Sequence, residues 1–330
     1  MSRRLSVHKT SWPMRAPFRI TGYVFEAIDM IVVHLADGDH VGRGEGCGVY
    51  YLNDLADGML EQVEALRTDL EGGLSREELQ EALPAGGARN ALDCAMWDLE
   101  ARKTGKSIWD LTGVESGSVK TVFTIGIEAT PEKMAEKAAR ARAYPVLKVK
   151  LDGEAPVERI AAIRKARPDA ALIIDANQGF TLEMLKEVME PLAALGVAMI
   201  EQPLPRGGDE GLAGLRSPAP ICADESCLHR GELQEALPRY DMINIKLDKT
   251  GGLTEALALA REARAAGKRL MVGNMVGTSL SMAPAFVVAQ LCDFVDLDGP
   301  LALKSDYPDG MRYNGGTVSA PARGFWGGMS

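Results

Sequence analysis

The chain has 330 residues, a length that suits two domains or one large α/β barrel with an added piece. Apolar residues make up 46% and charged residues 25%, which is ordinary globular composition and excludes a disordered chain or a fibrous repeat. Acids outnumber bases 46 to 37, a net charge of −9 that argues against nucleic acid or an anionic membrane as partner, since both call for a basic face. No apolar run reaches the roughly eighteen residues of a membrane span, and Ser2-Arg3-Arg4 leads into polar sequence rather than a signal-type apolar core. The cysteines Cys47, Cys94, Cys222, Cys227 and Cys292 are odd in number and lack CxxC pairing, so they read as free thiols in a reducing compartment. A cytoplasmic protein is expected.

In chain order, Ile28 to Leu35 reads as a strand, Asp37-Gly38-Asp39 as a turn, and His40 to Gly46 as the returning strand of a hairpin. Helical spacing then covers Gly58 to Leu70, Ser75 to Ala82, and Ala88 to Thr104, the last with Leu92, Ala95, Met96 and Leu99 on one face and Gly105 as its stop. Strands followed by helices describe an α+β unit. Gly42-Arg43-Gly44-Glu45-Gly46 resembles a phosphate loop only superficially, because no Gly-Lys-Ser/Thr follows, and it reads as strand and turn.

From about Ser118 the texture changes. Short β-rich runs alternate with Ala- and Glu-rich helical stretches, and each run ends on a residue that a buried strand does not favour: Thr124, Lys150, Asp175, Glu201, Asp224, Lys246, Asn274 and Asp296. They lie roughly 25 residues apart, the length of one strand-loop-helix-loop unit, and eight such units make a (β/α)8 barrel whose strands end at one face. An open doubly wound sheet is the structural alternative. The expected fold is α/β, a modified (β/α)8 TIM-type barrel at 116–306, with an α+β capping domain at 1–115 completed by the Gly- and Pro-rich tail 307–330.

Asp175, Glu201 and Asp224 end three consecutive strands and so converge on one side of the barrel mouth. Three adjacent carboxylates stay ionised only beside a cation, and an all-oxygen set selects a hard ion, Mg²⁺ or alternatively Mn²⁺. His8, His34, His40 and His229 lie away from these ends, which argues against zinc or iron. Lys150 and Lys246 end the second and sixth strands, half a barrel apart, so a carbon held between them can lose a proton to one and regain it from the other on the opposite face. That is the requirement of a two-base racemase or epimerase acting through a metal-stabilised enediolate. Lys148 points the same way as Lys150 on a pleated strand and adds positive charge beside a bound carboxylate.

Lys148-Val149-Lys150, Asp175-Ala176-Asn177, Glu201-Gln202-Pro203, Ala223-Asp224-Glu225-Ser226 and Asn244-Ile245-Lys246 with Gly251-Gly252 together resemble the enolase superfamily, muconate lactonizing enzyme subgroup. The likeness extends over nearly the whole chain, and Asp296-Leu297-Asp298 at the eighth strand resembles its dipeptide epimerase branch of the L-Ala-D/L-Glu kind. The resemblance implies an isomerase with Asp175, Glu201 and Asp224 as Mg²⁺ ligands and Lys150 and Lys246 as acid/base catalysts. It implies that Lys150 serves the D and Lys246 the L configuration, that Thr124 contacts the substrate carboxylate, and that Asn274 and Met275 line the pocket. It further implies that Asp296 and Asp298 hold the ammonium of a small-molecule dipeptide, and it leaves room for a homo-oligomer.

The sequence departs from that pattern in two places. Asn274 stands where a small Ser or Cys is expected, and Gly22 or Phe25 stands where glutamate-selective relatives align arginines, with Arg19 nearby but shifted. A wall of Tyr23, Phe25, Tyr50 and Tyr51 suits an apolar or aromatic side chain, unless Phe25 belongs to the cap's own core. Asp248 either orients Lys246 or caps the next helix. The alternatives are an N-acylamino acid racemase, an o-succinylbenzoate synthase-like enzyme, and, outside the superfamily, a Schiff-base lysine aldolase on a similar barrel.

Overall fold

The structure is a computed structural model that describes residues 3–20 and 22–328. A three-stranded antiparallel sheet opens the chain: β1 (Arg4–Ile20), β2 (Tyr23–Asp37) and β3 (His40–Gly46), in that spatial order. Sequence reasoning missed β1 and the first half of β2. Pro13 and Pro17 argue against a central strand, but β1 is an edge, where proline is tolerated, and its pairing with β2 shifts register between Pro13 and Phe18.

Five helices complete this unit: α1 (Ala56–Ala65), α2 (Arg67–Gly72), α3 (Arg76–Ala82), α4 (Gly87–Thr104) and α5 (Ile108–Thr112). The helix expected over Gly58 to Leu70 is therefore two, broken at Leu66. The alternating glycines of β3 have a packing reason. A Cβ on Gly44 would lie 2.0 Å from the Ala91 carbonyl oxygen, and one on Gly42 2.1 Å from that of Ala95, so only glycine lets β3 lie against the α4 backbone. Gly44→Ala is expected to cost about 3 kcal/mol and lower the Tm. An unchanged melting curve would refute this close approach.

After β4 (Val119–Lys120), eight parallel strands form one curled sheet: β5 (Phe123–Ile125), β6 (Val146–Lys150), β7 (Ala171–Asp175), β8 (Val197–Glu201), β9 (Ile221–Ala223), β10 (Met242–Ile245), β11 (Arg269–Val272) and β12 (Phe294–Val295). Its two ends meet where Val122 N–H donates to the Val295 carbonyl at 2.9 Å. The covering helices are α6 (Pro131–Arg140), α7 (Pro156–Ala166), α8 (Leu182–Ala194), α9 (Arg230–Ala236), α10 (Leu247–Thr250), α11 (Leu253–Ala265), α12 (Ser279–Ala289) and α13 (Gly299–Ala302).

The expectation of a strand-loop-helix-loop unit repeated eight times needs correcting at two of the units. Only a 3-10 turn at Glu210–Leu212 follows β8, because Pro203, Pro205, Gly207, Gly208, Gly211, Gly214, Pro218 and Pro220 leave no run that can hold a helix. A single turn, α13, follows β12. The tail divides: β13 (Arg312–Asn314) and β14 (Thr317–Ser319) make an antiparallel sheet with β4, and Trp326 Nε1 reaches back to the Arg43 carbonyl at 2.9 Å. Among the described residues no helix is long and apolar enough to cross a membrane.

Candidate active site

Successive strand residues face opposite sides of a sheet, so each barrel strand sends every second side chain inward. Val122, Ile173, Met199, Cys222, Met242 and Met271 pack together as a buried apolar plug inside the barrel. Two residues further along their strands, Asp175, Glu201, Asp224 and Asn244 follow, with Lys246 after Asn244. This period-two step from apolar to polar is why the runs end on charged residues.

Asp175, Glu201 and Asp224 are all fully buried, and one oxygen from each lies within 4.8 Å of the others. Burial, then the charge of Asp175, pushes Glu201 up to about 7. Burial also opposes ionisation of Asp224, but Lys246, Lys249 and Lys148 outweigh it and hold that carboxyl below the usual range. Asn244 Nδ2 donates to Glu201 Oε1 at 2.7 Å, and Lys249, itself buried, donates to Asp224 Oδ1 at 2.7 Å. Glu201 Oε2, 2.8 Å from the Lys148 ammonium, accepts no well-directed hydrogen bond. Three rigidly held carboxylate oxygens with a spare acceptor fit a hard divalent ion.

Lys150 Nζ donates to Asp175 Oδ2 at 2.6 Å and to Asn177 Oδ1 at 2.9 Å, while Lys246 Nζ donates to Asp224 Oδ2 at 2.7 Å. Burial works against the Lys246 charge, but the carboxylates, Asp224 foremost, raise its pKa above that of an ordinary lysine. Both ammonium groups line a cavity of about 420 Å³ between barrel mouth and cap. Asn274 and Met275 line it too; Asn274 Oδ1 accepts from Val276 N–H at 2.8 Å and so holds a valine at positive φ, an uncommon backbone for a β-branched residue.

The remaining expected residues are placed differently. Lys148 is 1% exposed and its ammonium is 3.1, 2.8 and 2.8 Å from Asp175, Glu201 and Asp296, so it binds carboxylates of the protein rather than facing the cavity. Asp296 is buried against Lys148 and Asn274. Asp298 is half-buried, accepts Thr124 N–H at 2.8 Å, and with Thr124 lines an adjoining cavity of about 340 Å³ that shares Phe18 and Val276 with the first. Burial and then Asp296 push its pKa up to about 7.

On the cap side, Phe25 serves both readings, since it packs against the Met14–Ile28–Met30–Leu303 cluster and also walls the main cavity. Tyr23 stacks on Phe25 at 6.0 Å and meets Tyr50 edge-on at 4.5 Å, and Gly22 takes φ +79 at the hairpin tip. The Arg19 side chain lies outside the described residues. Sequence reasoning did not assign Asn177, Glu225, Cys47, Asp29 or Asp57 to the cavity wall. Asn177 and Glu225 sit close to the triad carboxylates in motifs already noted, so adjacency was an available signal. The cap residues carried none, because they join the site only through the fold.

Comparison with known proteins agrees with this geometry. Residues 132–325 match the enolase C-terminal domain-like family, and residues 2–113 match the mandelate racemase / muconate lactonizing enzyme N-terminal domain. The chain is 45% identical to the L-Ala-D/L-Glu epimerase of Escherichia coli (strain K12), over 96% of this chain and 99% of that one. It is 42% identical to the N-acetyl-D-glutamate racemase of a Pseudoalteromonas species, over 91% and 95%. The dipeptide epimerase of Enterococcus faecalis V583, solved with Mg and L-Leu-L-Tyr, superposes with a TM-score of 0.91 at 28% identity, covering 99% of each chain. With matched domains spanning cap and barrel and identity sustained over nearly the full length, the chain belongs to the mandelate racemase / muconate lactonizing enzyme family of the enolase superfamily.

Proposed function

We propose that the protein is a Mg²⁺-dependent dipeptide epimerase that inverts the α-carbon of the C-terminal residue of an L-Ala-L-Xaa dipeptide by two-base 1,1-proton transfer. The observation that carries this reading is the pair of lysine ammonium groups from the second and sixth strands, both lining one cavity and each bonded to a carboxylate of the same triad. Lys150 and Lys246 are the bases, and Asp175, Glu201 and Asp224 hold the ion. Mg²⁺ there supplies positive charge to the substrate carboxylate, where negative charge builds up as the α-proton leaves. Asn177 orients Lys150, Asn244 and Lys249 fix the ligands, and the cap excludes water from the chamber. The reaction runs in the cytoplasm, consistent with five free thiols, in a chain divided into a cap of residues 1–115 plus 307–330 and a barrel of 116–306.

A free amine on the substrate is favoured over an acylated one because Asp298 presents a carboxylate in the adjoining cavity beside Thr124. In deuterated buffer with Mg²⁺, the α-proton of L-Ala-L-Xaa should exchange and the centre invert. N-acetylation should lower kcat/KM by about a hundredfold, and equal rates would overturn the assignment of Asp298.

For the Xaa side chain we propose an apolar or aromatic group. Phe18, Ile20, Phe25, Tyr50, Tyr51 and Val276 wall the main cavity, Asp29, Asp57 and Glu225 add acids, and its only cations among the described side chains are the two lysines already committed to catalysis. L-Ala-L-Phe and L-Ala-L-Tyr are expected to exceed L-Ala-L-Glu in kcat/KM by about thirtyfold. Comparable turnover of L-Ala-L-Glu would defeat this, and its loss in Arg19→Ala would then assign the carboxylate to Arg19.

A further inference from the structure

Asp248 does neither of the two things its sequence position suggests. Its carboxylate accepts nothing from Lys246 and nothing from the backbone of α10 or α11. It reaches out of the barrel instead: Oδ1 takes Cys47 N–H at 2.9 Å, Gly48 N–H at 3.2 Å and Asn90 Nδ2 at 3.0 Å, all from the cap, and the residue is 3% exposed. The two amides belong to the segment that runs into Val49 and the 3-10 turn Tyr50–Leu52, whose tyrosines wall the substrate chamber.

The same segment is gripped from the other direction. Glu45, a buried cap carboxylate, accepts Thr278 N–H at 2.9 Å and Thr278 Oγ1–H at 2.8 Å from the barrel, and Cys47 Sγ donates to the Met275 carbonyl at 3.3 Å. The two buried acids thus point in opposite directions across one interface. They differ in where they are anchored. Asp248 lies two residues beyond Lys246, and its turn is bonded back to that lysine, with Lys249 N–H and Thr250 N–H donating to the Lys246 carbonyl at 3.0 and 2.9 Å. Gly48 adopts φ +75 at the point of contact, where a Cβ would lie 2.2 Å from the Asp54 carbonyl oxygen, so only glycine fits the loop in this conformation.

We infer that Asp248 is a positioning residue, which locks the Cys47–Tyr51 loop of the cap to the turn following Lys246 and so fixes the spacing between the tyrosine wall and that lysine. Three charge-assisted bonds converge on one buried oxygen, and removing it leaves two backbone N–H groups without their acceptor, that of Gly48 in a buried setting. The loop then samples other positions while the triad and both lysines keep their partners. What is lost is substrate binding common to ground and transition states, which raises KM more than it lowers kcat. This rests on the epimerase reading for its kinetic part only.

Two measurements test it. Amide hydrogen exchange followed by mass spectrometry should show the 45–52 segment exchanging about tenfold faster in Asp248→Ala, with the 221–246 segment unchanged; Asp248→Asn, which keeps an oxygen acceptor, should restore most of the protection. With the preferred dipeptide, Asp248→Ala should raise KM about tenfold, change kcat less than threefold, and narrow the ratio of kcat/KM between L-Ala-L-Phe and L-Ala-L-Glu. Unchanged exchange at 45–52, or equal behaviour of the Ala and Asn variants, would overturn the inference. Should Asp248→Ala fail to fold, Asn90→Ala removes one of the three donors and must speed exchange at 45–52; no change there overturns the inference equally. A wild-type protein that turns over no dipeptide would sink the epimerase reading while leaving the exchange result to stand by itself.

Discussion

Lys150→Ala and Lys246→Ala are each expected to abolish net epimerisation, by about a thousandfold or more, while leaving the fold intact. Each lysine sits at the rim of an otherwise complete cavity, and removing it takes away one hydrogen bond to a triad carboxylate and no part of the apolar plug. The sharper expectation concerns what survives. Inversion needs a proton taken from one face and returned on the other, whereas exchange with solvent needs one base only. If Lys246 serves the L configuration and Lys150 the D, then Lys150→Ala still exchanges the α-proton of the L,L dipeptide, and Lys246→Ala that of the L,D dipeptide, each with retention. Proton NMR in deuterated buffer, run from each diastereomer, distinguishes the four cases. Full inversion by either variant would remove that lysine from the mechanism. Reductive trapping of a keto acid on either lysine would favour the aldolase alternative, whose chemistry needs one amine and no metal.

How far the sequence reaches follows from where the information is local. A charged residue at the end of an apolar strand breaks a local rule, and Asp175, Glu201, Asp224, Lys150 and Lys246 all break it at or one residue past a strand's carboxyl end, so this end of the barrel is legible from spacing. Even there, spacing places a residue without saying what it touches. Lys148 and Asp296 share the inward face with the rest, yet they pair with each other at 2.8 Å below the cavity. The cap is harder because its contribution is made at long range. Cys47 and Asp248 are about two hundred positions apart and in contact, and nothing near either in sequence announces the other. Strand β1 fails for a different reason: its prolines are incompatible with a central strand and compatible with an edge, and edge position is a property of the sheet rather than of the segment. The missing helix after β8 was readable in principle, since its segment holds the proline and glycine that forbid one.

Removal of the metal is expected to have an effect as large as removal of a lysine, and for a reason visible in the charges. Four ammonium groups, on Lys148, Lys150, Lys246 and Lys249, lie within 3.1 Å of carboxylate oxygens of Asp175, Glu201 or Asp224. As long as those carboxylates are answered by lysines, Lys246 is held as the ammonium and has no lone pair with which to take a proton. A divalent cation held by Asp175, Glu201 and Asp224 would relieve that hold and would supply positive charge to the substrate carboxylate. Chelation by EDTA should therefore lower the rate by about a thousandfold or more, with recovery on Mg²⁺ or Mn²⁺. Glu201→Gln is the more discriminating variant. Glutamine has the same shape and keeps an acceptor for Asn244, while it offers the ion one charge fewer and sets an amide NH2 where Glu201 Oε2 now faces the Lys148 ammonium. It should leave the protein folded and raise the Mg²⁺ concentration for half-maximal activity by about a hundredfold. Binding also reports without catalysis: a ligand at 100 times its Kd stabilises the folded state by about 2.7 kcal/mol, so Mg²⁺ should raise the Tm of the wild type and do so only at far higher concentration in Glu201→Gln. A wild-type protein whose rate and melting temperature both ignore EDTA would show that the triad binds no ion, and the ammonium groups around it would then be structural neutralisers of a buried acidic cluster.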